Sequence, residues 1–336
     1  MQQFRYFLSW ILWPALFTIC MGVTALGFNM GYPIIAFNIA YIFLIVSLFF
    51  LEKWMPHERQ WLEPDGQNTA SILHTISSKG SVQSLFIFSG VIGIADYITP
   101  VVEPGHSIWP RDWPMWAQVC LGVVAAEFAL YWAHRLAHEV PIFWRFHAIH
   151  HSVTKLWFLN TGRFHFIDSL MSILMGLAVL IALGAPMEVV KWLSVVTAFI
   201  GMLTHCNVEM RFGPISWIFN TPELHRWHHS KLLHEGNRNY GENVMIWDMI
   251  FDSYYNADYR PPADIGTGDY VPVKFTHQIL WPFLPNSVKK RIIPDFVPVP
   301  FGREGDEHHP SPKVKRIERI RRYFEARRMA RSKSAS

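Results

Sequence analysis

Long apolar runs restrict how this chain can fold more than any other feature of its sequence. Tyr6–Phe28 and Tyr32–Leu51 are almost wholly apolar and are separated by a short turn at Asn29–Gly31. Each run is long enough to cross a hydrocarbon core of about 30 Å as a helix. With 51% hydrophobic and 17% charged residues and a mean hydropathy of +0.14, the chain has the balance of a membrane protein. We therefore predict that the two runs form a helical hairpin.

Further apolar runs extend this prediction along the chain. Met115–Ala133 is predicted to be another span, and Ile167–Ala185 and Val189–Thr204 are predicted to form a second hairpin. Val82–Thr99 is a weaker run because Asp96 and two glycines interrupt it, so both a full crossing and a partly buried segment are open. The sequence thus predicts an all-α, polytopic helical membrane protein, with six spans if Val82–Thr99 crosses.

Lys and Arg are distributed unevenly between the two ends of these spans. They concentrate at Arg135–Arg163 and after Arg211, whereas Asn29–Gly31 has none. Because basic loops stay on the cytoplasmic side, we expect the histidine-rich end and both termini to be cytoplasmic, in a bacterial inner membrane. The tail Lys313–Lys333 contains ten Lys or Arg residues. It is expected either to bind anionic lipid headgroups as a surface helix or to remain solvated.

Eight histidines recur at helical spacing in three clusters. His134 and His138 are four residues apart, which places them on one face of a helix. The motif HxxHH then occurs twice, and with 17 histidines in 336 residues two such motifs are not expected by chance. The motif residues are His147, His150 and His151 in the first copy and His225, His228 and His229 in the second.

Clustered imidazoles indicate a metal site. Neutral imidazole binds Zn, Cu, Fe and Ni. One tetrahedral zinc needs four ligands, whereas eight nitrogens suit two ions with about four ligands each. Cys20, Cys120 and Cys206 have no pairable spacing, so neither a disulfide scaffold nor a thiolate site is indicated. The sequence therefore predicts a nitrogen-rich, dinuclear centre.

Three more residues are candidates for this centre. Glu127 lies seven residues before His134, on the same predicted helical face. A carboxylate is costly in lipid, so we predict that Glu127 accepts a hydrogen bond from an imidazole or binds metal, with a helix-interface hydrogen bond as the alternative. His205, at the end of the last apolar run, is either a ninth ligand or a hydrogen-bonded interfacial histidine, and His165 is a weaker candidate of the same kind. The other histidines are expected in solvent-exposed loops: His57, His74, His106, His234, His277, His308 and His309.

Blocks of sequence around these residues resemble a known superfamily. The blocks are YWAHRLAHE at 131–139, HAIHHS at 147–152, LNTGRFHFID at 159–168, HCNVEM at 205–210, HRWHHS at 225–230 and NYGENVMIWDMIFDSYY at 239–255. They are similar to blocks of the fatty acid hydroxylase and sterol desaturase superfamily, the integral-membrane di-iron oxygenases with histidine clusters. The resemblance covers about residues 127–255. One departure is Phe166, where many relatives have Pro.

The resemblance implies two iron ions, O2 as cosubstrate and electrons from a separate donor protein. It makes Glu139 a candidate catalytic residue beside Glu127. The implied reaction is hydroxylation of a membrane lipid: an acyl chain, an ether lipid, a sterol-like ring or an aminolipid such as ornithine lipid. Desaturation at the same site remains open, as does a zinc- or copper-binding membrane protein without enzymatic activity. No Gly-rich phosphate loop and no HExxH motif is present, and no nucleic-acid partner is expected.

These patterns also divide the chain into three predicted segments. Residues 1–114 hold the first membrane helices and an interfacial loop. Residues 115–260 form the predicted catalytic domain, in which the histidine clusters flank a membrane hairpin. Residues 261–336 form a Pro-rich cytoplasmic segment and the basic tail.

Overall fold

The computed structural model describes residues 2–80 and 108–294 of the chain. Within those ranges the architecture is helical, and β-structure is limited to three isolated bridges. The helices are α1 (Gln2–Asn29), α2 (Pro33–Trp54), α3 (Asn68–His74), α4 (Met115–Glu139), α5 (Pro141–His151), α6 (Phe166–Leu183), α7 (Met187–His205), α8 (Pro222–His228), α9 (Leu233–Gly236), α10 (Ile246–Ile250), α11 (Phe275–Leu280) and α12 (Asn286–Ile292). Single turns of 3₁₀ or π helix lie at Arg59–Leu62, Thr75–Gly80, Phe158–Asn160, Gly213–Trp217 and Trp281–Phe283.

Five of these helices are long and apolar enough to cross a membrane: α1, α2, α4, α6 and α7. This confirms the predicted all-α membrane architecture. The weak run Val82–Thr99 and the basic tail Lys313–Lys333 lie outside the described residues.

The first predicted hairpin is present and closes tightly. α2 begins at Pro33, whose fixed φ suits the first helical turn. Gly31 adopts a φ of +79°, a conformation that glycine reaches without strain. At Gly27 a Cβ atom would lie 2.1 Å from the Cβ of Ala36, so glycine lets the two helices touch.

Two apolar clusters pack the membrane-spanning helices against one another. In the first, Trp13 of α1 and Leu44 of α2 are buried against Phe199 of α7. In the second, Leu180 of α6 and Val123 of α4 pack with residues of α7. Within a bilayer such contacts stabilise by close packing, because lipid tails are as apolar as the side chains themselves. The histidine-bearing α4 is thereby fixed against both helices of the second hairpin.

Polar connections cover the end of the bundle where α4 terminates. The indole Nε1 of Trp61 donates to the carbonyl of Ala263 at 2.9 Å, so segments 200 residues apart meet there. His74 is fully buried, with ring nitrogens 2.9 Å from the carbonyl oxygen of Phe164 and 2.8 Å from Oε1 of Gln278. The expectation that His74 lies in a solvent-exposed loop is therefore wrong, because α3 packs against α11 rather than facing water.

Candidate metal centre

Nine buried histidines form two groups at this end of the bundle. Within each group, one possible ligand atom from every residue lies within 4.8 Å of all the others. Every predicted cluster histidine is present, and His205 joins them as the ninth. The first group is His134, His138, His147, His151 and His228, and the second is His150, His205, His225 and His229.

The two HxxHH motifs divide their residues between the groups in opposite ways. His147 and His151, four residues apart on α5, face the first group, whereas His150 faces the second. In the later motif it is the middle histidine, His228, that belongs to the first group, while its neighbour His229 belongs to the second. Adjacent histidines on a helix point about 100° apart, so each motif supplies both groups.

The hydrogen-bond partners of the imidazoles in the first group favour a bound cation. His134 Nδ1 lies 2.7 Å from the carbonyl oxygen of Tyr240, and His147 Nδ1 lies 2.8 Å from Oδ2 of Asp168. Both oxygens are acceptors, so both imidazoles carry a proton on Nδ1, and in the neutral rings each Nε2 has a lone pair. The two Nε2 atoms are nevertheless only 3.1 Å apart. Two lone pairs at that distance repel, whereas two nitrogens about 2.1 Å from one metal ion would be separated by about 3 Å.

The second group repeats this arrangement. His229 Nε2 lies 3.1 Å from Nε2 of both His150 and His225, and His225 Nε2 lies 3.1 Å from Nε2 of His205. His205 Nδ1 donates to the carbonyl oxygen of Gly201 at 2.9 Å, one helical turn earlier. Its lone pair is therefore directed at the other imidazoles. Four convergent nitrogens are again what a metal ion requires.

Burial keeps these imidazoles in the form that binds metal. It lowers the pKa of His150, His151, His225 and His228 well below the usual histidine range, and neighbouring imidazoles lower it further. Each ring is thus neutral near pH 7, as a ligand must be. Within the described part of the chain, Nδ1 of His151 and Nδ1 of His225 are buried without a hydrogen-bond partner. The donor set therefore fits metal ions of the kind that imidazole prefers.

Residues behind the imidazoles fix their orientation. The carbonyl of Arg238 accepts from His228 Nδ1 at 2.8 Å, and Oδ1 of Asn237 lies 3.2 Å from His138 Nδ1. The ring of Phe164 stacks on His150 with centroids 4.0 Å apart. Such partners set the tautomer and raise the basicity of the ligating nitrogen. The histidine spacing gave no signal for Asp168 or Asn237, although Asp168 is the last residue of the block LNTGRFHFID.

Glu127 contacts a loop rather than a histidine. It is fully buried, and its carboxylate accepts hydrogen bonds from the backbone N–H of Glu242, from the backbone N–H of Asn243 at 3.1 Å and from Nδ2 of Asn243 at 2.8 Å. All of its hydrogen bonds go to these two residues, so it lies in neither group. This is the helix-interface hydrogen bonding that the sequence left open, and the predicted bond to an imidazole is not formed.

Glu139 and His165 also lie outside both groups. Glu139 is half-exposed and forms an ion pair with Arg135, with Oε1 2.8 Å from Nε. His165 accepts from the N–H of Ile167 as the N-cap of α6, and its Nε2 donates to the carbonyl of Ile279 at 3.1 Å. His165 therefore positions α6 and α11 rather than a metal ion.

The fold and this site define a polytopic helical membrane protein with two buried histidine groups suited to metal. The family model for fatty acid hydroxylase matches residues 119–253, which span both HxxHH motifs. Ornithine lipid hydroxylase OlsE from Rhizobium tropici is 47% identical over 279 residues, covering 82% of this chain and 84% of that relative. The chain belongs to the fatty acid hydroxylase family, and it is a hydroxylase.

More distant relatives match about half of the chain. Alkylglycerol monooxygenase from Homo sapiens is 31% identical over 173 residues, which are 50% of this chain and 38% of that relative. Fatty acid hydroxylase vlmA from a Lecanicillium species is 28% identical over 204 residues, 56% of this chain and 55% of that relative. No solved structure matches the chain significantly.

Proposed function

We propose that this protein hydroxylates a membrane aminolipid of the ornithine lipid type, using O2, two iron ions and electrons from a separate donor. The observation that carries the proposal is the pair of buried histidine groups with convergent nitrogens. The aminolipid is proposed because the relative named as an ornithine lipid hydroxylase matches this chain over most of its length.

The overall reaction must balance. One C–H bond of the lipid is replaced by C–OH, the second oxygen atom of O2 leaves as water, and two electrons and two protons are consumed. The two irons, when bound, would supply O2 activation and the oxidising power to break an unactivated C–H bond. The sequence carries no flavin, haem or ferredoxin signature, so an electron-donor protein or reductase is part of the proposal.

The chain's own residues provide three conditions for this chemistry. The nine imidazoles would hold the metal ions, and Asp168 and the carbonyls of Tyr240 and Arg238 keep three of these imidazoles in the tautomer that a ligand requires. Burial of the ligands excludes bulk water from the centre and protects a reactive oxidant. The site lies near the end of α4, a helix long and apolar enough to span a membrane, and this position would let a lipid reach it without leaving the bilayer.

The orientation and the remaining partners are also proposals. The excess of Lys and Arg at the histidine end supports a cytoplasmic metal centre, where a soluble electron donor could reach it. The basic tail would add contacts to anionic headgroups. The segments 1–114, 115–260 and 261–336 remain the proposed division of the chain.

Lipid mass spectrometry tests the reaction. Expression of the full chain in cells that contain ornithine lipid should convert part of that lipid to a species heavier by one oxygen atom. A His150→Ala variant at the same membrane level should not, and protein purified from iron-replete, anaerobic cells should contain about two irons. Loss of two hydrogens without added oxygen would indicate a desaturase, and an unchanged lipidome with tightly bound zinc would contradict the proposal.

A further inference from the structure

A polar cavity of about 260 Å³ lies beside the first histidine group, and none of its arginine or acidic residues belongs to either histidine group. We call it the α4-end cavity. Its charged residues come from three places in the chain: Arg135 and Glu139 near the end of α4, Arg238 in the loop after α9, and Asp252 in the loop after α10. The cavity is therefore a built feature at the point where a membrane-spanning helix ends.

Only one layer of residues separates this cavity from the first histidine group. Tyr240 lines the cavity, and its carbonyl oxygen accepts from His134 Nδ1 at 2.7 Å. Asn237 lines it as well, with Oδ1 3.2 Å from His138 Nδ1. A molecule held in the cavity would touch residues that themselves contact two metal-ligating histidines.

The charges of the α4-end cavity are balanced. Nε of Arg135 lies 2.8 Å from Oε1 of Glu139, and these side chains remain 26% and 43% exposed. Nη1 of Arg238 donates to the backbone carbonyl of Asp252 at 2.7 Å, which holds this arginine against the loop that follows α10. Two arginines and two acidic residues thus line one small space. A singly charged ligand that bound one side chain of the Arg135–Glu139 pair would leave the other side chain without its partner, whereas a zwitterion can pair with both.

The backbone around the cavity adopts conformations that L-residues rarely take. In residues 2–80 and 108–294, Asn239 and Asp252 are the two non-glycine residues with positive φ, at +54° and +56°. Asp252 lines the cavity, and Asn239 lies between the lining residues Arg238 and Tyr240. Tyr255 holds Asn239 in place, since its N–H donates to Oδ1 and its carbonyl accepts from Nδ2, each at 2.8 Å. Such backbone is concentrated at functional sites, where surrounding contacts maintain it.

We propose that the α4-end cavity binds the zwitterionic headgroup of the lipid substrate. Arg238 and Arg135 pair with its carboxylate, since guanidinium matches carboxylate geometry, and Glu139 and Asp252 pair with its ammonium group. The inference rests on the proposed function, because an ornithine headgroup carries one group of each sign. It gives Glu139, a candidate catalytic residue in the sequence analysis, a role in substrate binding and specificity.

The test pairs protein variants with headgroup analogues, using full-length protein in vesicles of neutral phospholipid. Ornithine lipid is compared with the same lipid acetylated on its amine and with its methyl ester. Glu139→Gln should raise the KM for ornithine lipid about tenfold with little change in kcat, and should not alter the KM for the acetylated lipid. Arg238→Gln should raise the KM for ornithine lipid and leave that for the methyl ester unchanged.

The matched control is Glu188→Gln, which removes a carboxylate from another exposed helical ion pair, with Lys191, at the start of α7. It should change no KM. A KM increase in Glu139→Gln that is equal for ornithine lipid and its acetylated analogue would overturn the headgroup assignment. A change in the KM for the electron donor alone would also overturn it and would identify a protein-docking site. If the wild type does not turn over ornithine lipid at all, the proposed function itself fails and the assignment fails with it.

Discussion

At the residue scale, the surroundings of the two ring nitrogens distinguish a histidine of the two groups from a structural histidine. In a ligating imidazole Nε2 faces other imidazoles, while Nδ1 of rings such as His147 and His205 faces an oxygen acceptor. His165 has the opposite environment, because both of its nitrogens are used by backbone groups. Helical spacing alone could not distinguish the roles of His205 and His165, since each borders an apolar run.

Alanine substitutions at these two histidines should therefore differ. His205→Ala removes one of four ligands from the second group, so we expect iron to fall from about two per protein to about one and hydroxylation to be lost. His165→Ala should retain both irons and lose about 1 kcal/mol of stability for each lost hydrogen bond. Iron analysis and thermal unfolding of the two variants measure this. Full iron content in His205→Ala together with loss of iron in His165→Ala would reverse the assignment.

At the scale of elements, two buried carboxylates hold the loop behind His134. Glu127 accepts from Asn243, and Asp248 accepts from the N–H of Tyr240 at 2.8 Å and of Gly241 at 2.7 Å. The carbonyl of that same Tyr240 accepts from His134. The two carboxylates thus position a backbone oxygen that fixes the tautomer of His134, although neither carboxylate accepts a hydrogen bond from that imidazole.

The ionisation of Asp248 should make this loop sensitive to pH. Burial raises the pKa of Asp248 to about 6, although hydrogen bonds from Ser253 and two backbone N–H groups lower it. Between pH 4 and 6 the folded protein then binds more protons than the unfolded chain, so this contribution to stability is present at low pH and is lost as pH rises through about 6. Its upper limit is about 3 kcal/mol.

Asp248→Asn provides the comparison, because it cannot ionise. As pH rises from 4.5 to 7, the unfolding midpoint of the wild type should fall relative to that of the variant. Titration of the histidines affects both proteins equally and cancels in that difference. A difference that is constant, or that shifts in favour of the wild type, would contradict the pKa shift.

Sequence patterns predicted the elements better than their contacts. The apolar runs predicted five helices, but the run Met115–Ala133 ends six residues before α4 does, because the last six residues of that helix include His134, Arg135, His138 and Glu139. Glu127 shares a face with His134, as its spacing predicts, yet its carboxylate reaches a loop more than 100 residues later. Contacts of that kind depend on how the chain returns to α4, which no local pattern encodes. For the same reason, the HxxHH spacing could not show which histidines of a motif belong to the same group.

At the scale of the whole molecule, five membrane-crossing helices place both histidine groups at one end of a helical bundle. The proposed orientation puts that end in the cytoplasm. Cysteine labels near Gly31 and near Gly236 check it: the first should react with an impermeant reagent from outside the cell, and the second only after the membrane is opened. An external Gly236 would prevent a cytoplasmic donor from reaching the centre.

The proposed function requires the two histidine groups to support the insertion of one oxygen atom from O2 into a lipid. Incubation of iron-loaded protein, ornithine lipid and reductant under 18O2 tests it most directly, with the product analysed by mass spectrometry. We expect the new hydroxyl group to carry 18O in wild-type protein and no product in His150→Ala. A hydroxyl group that instead takes its oxygen from water would contradict the account.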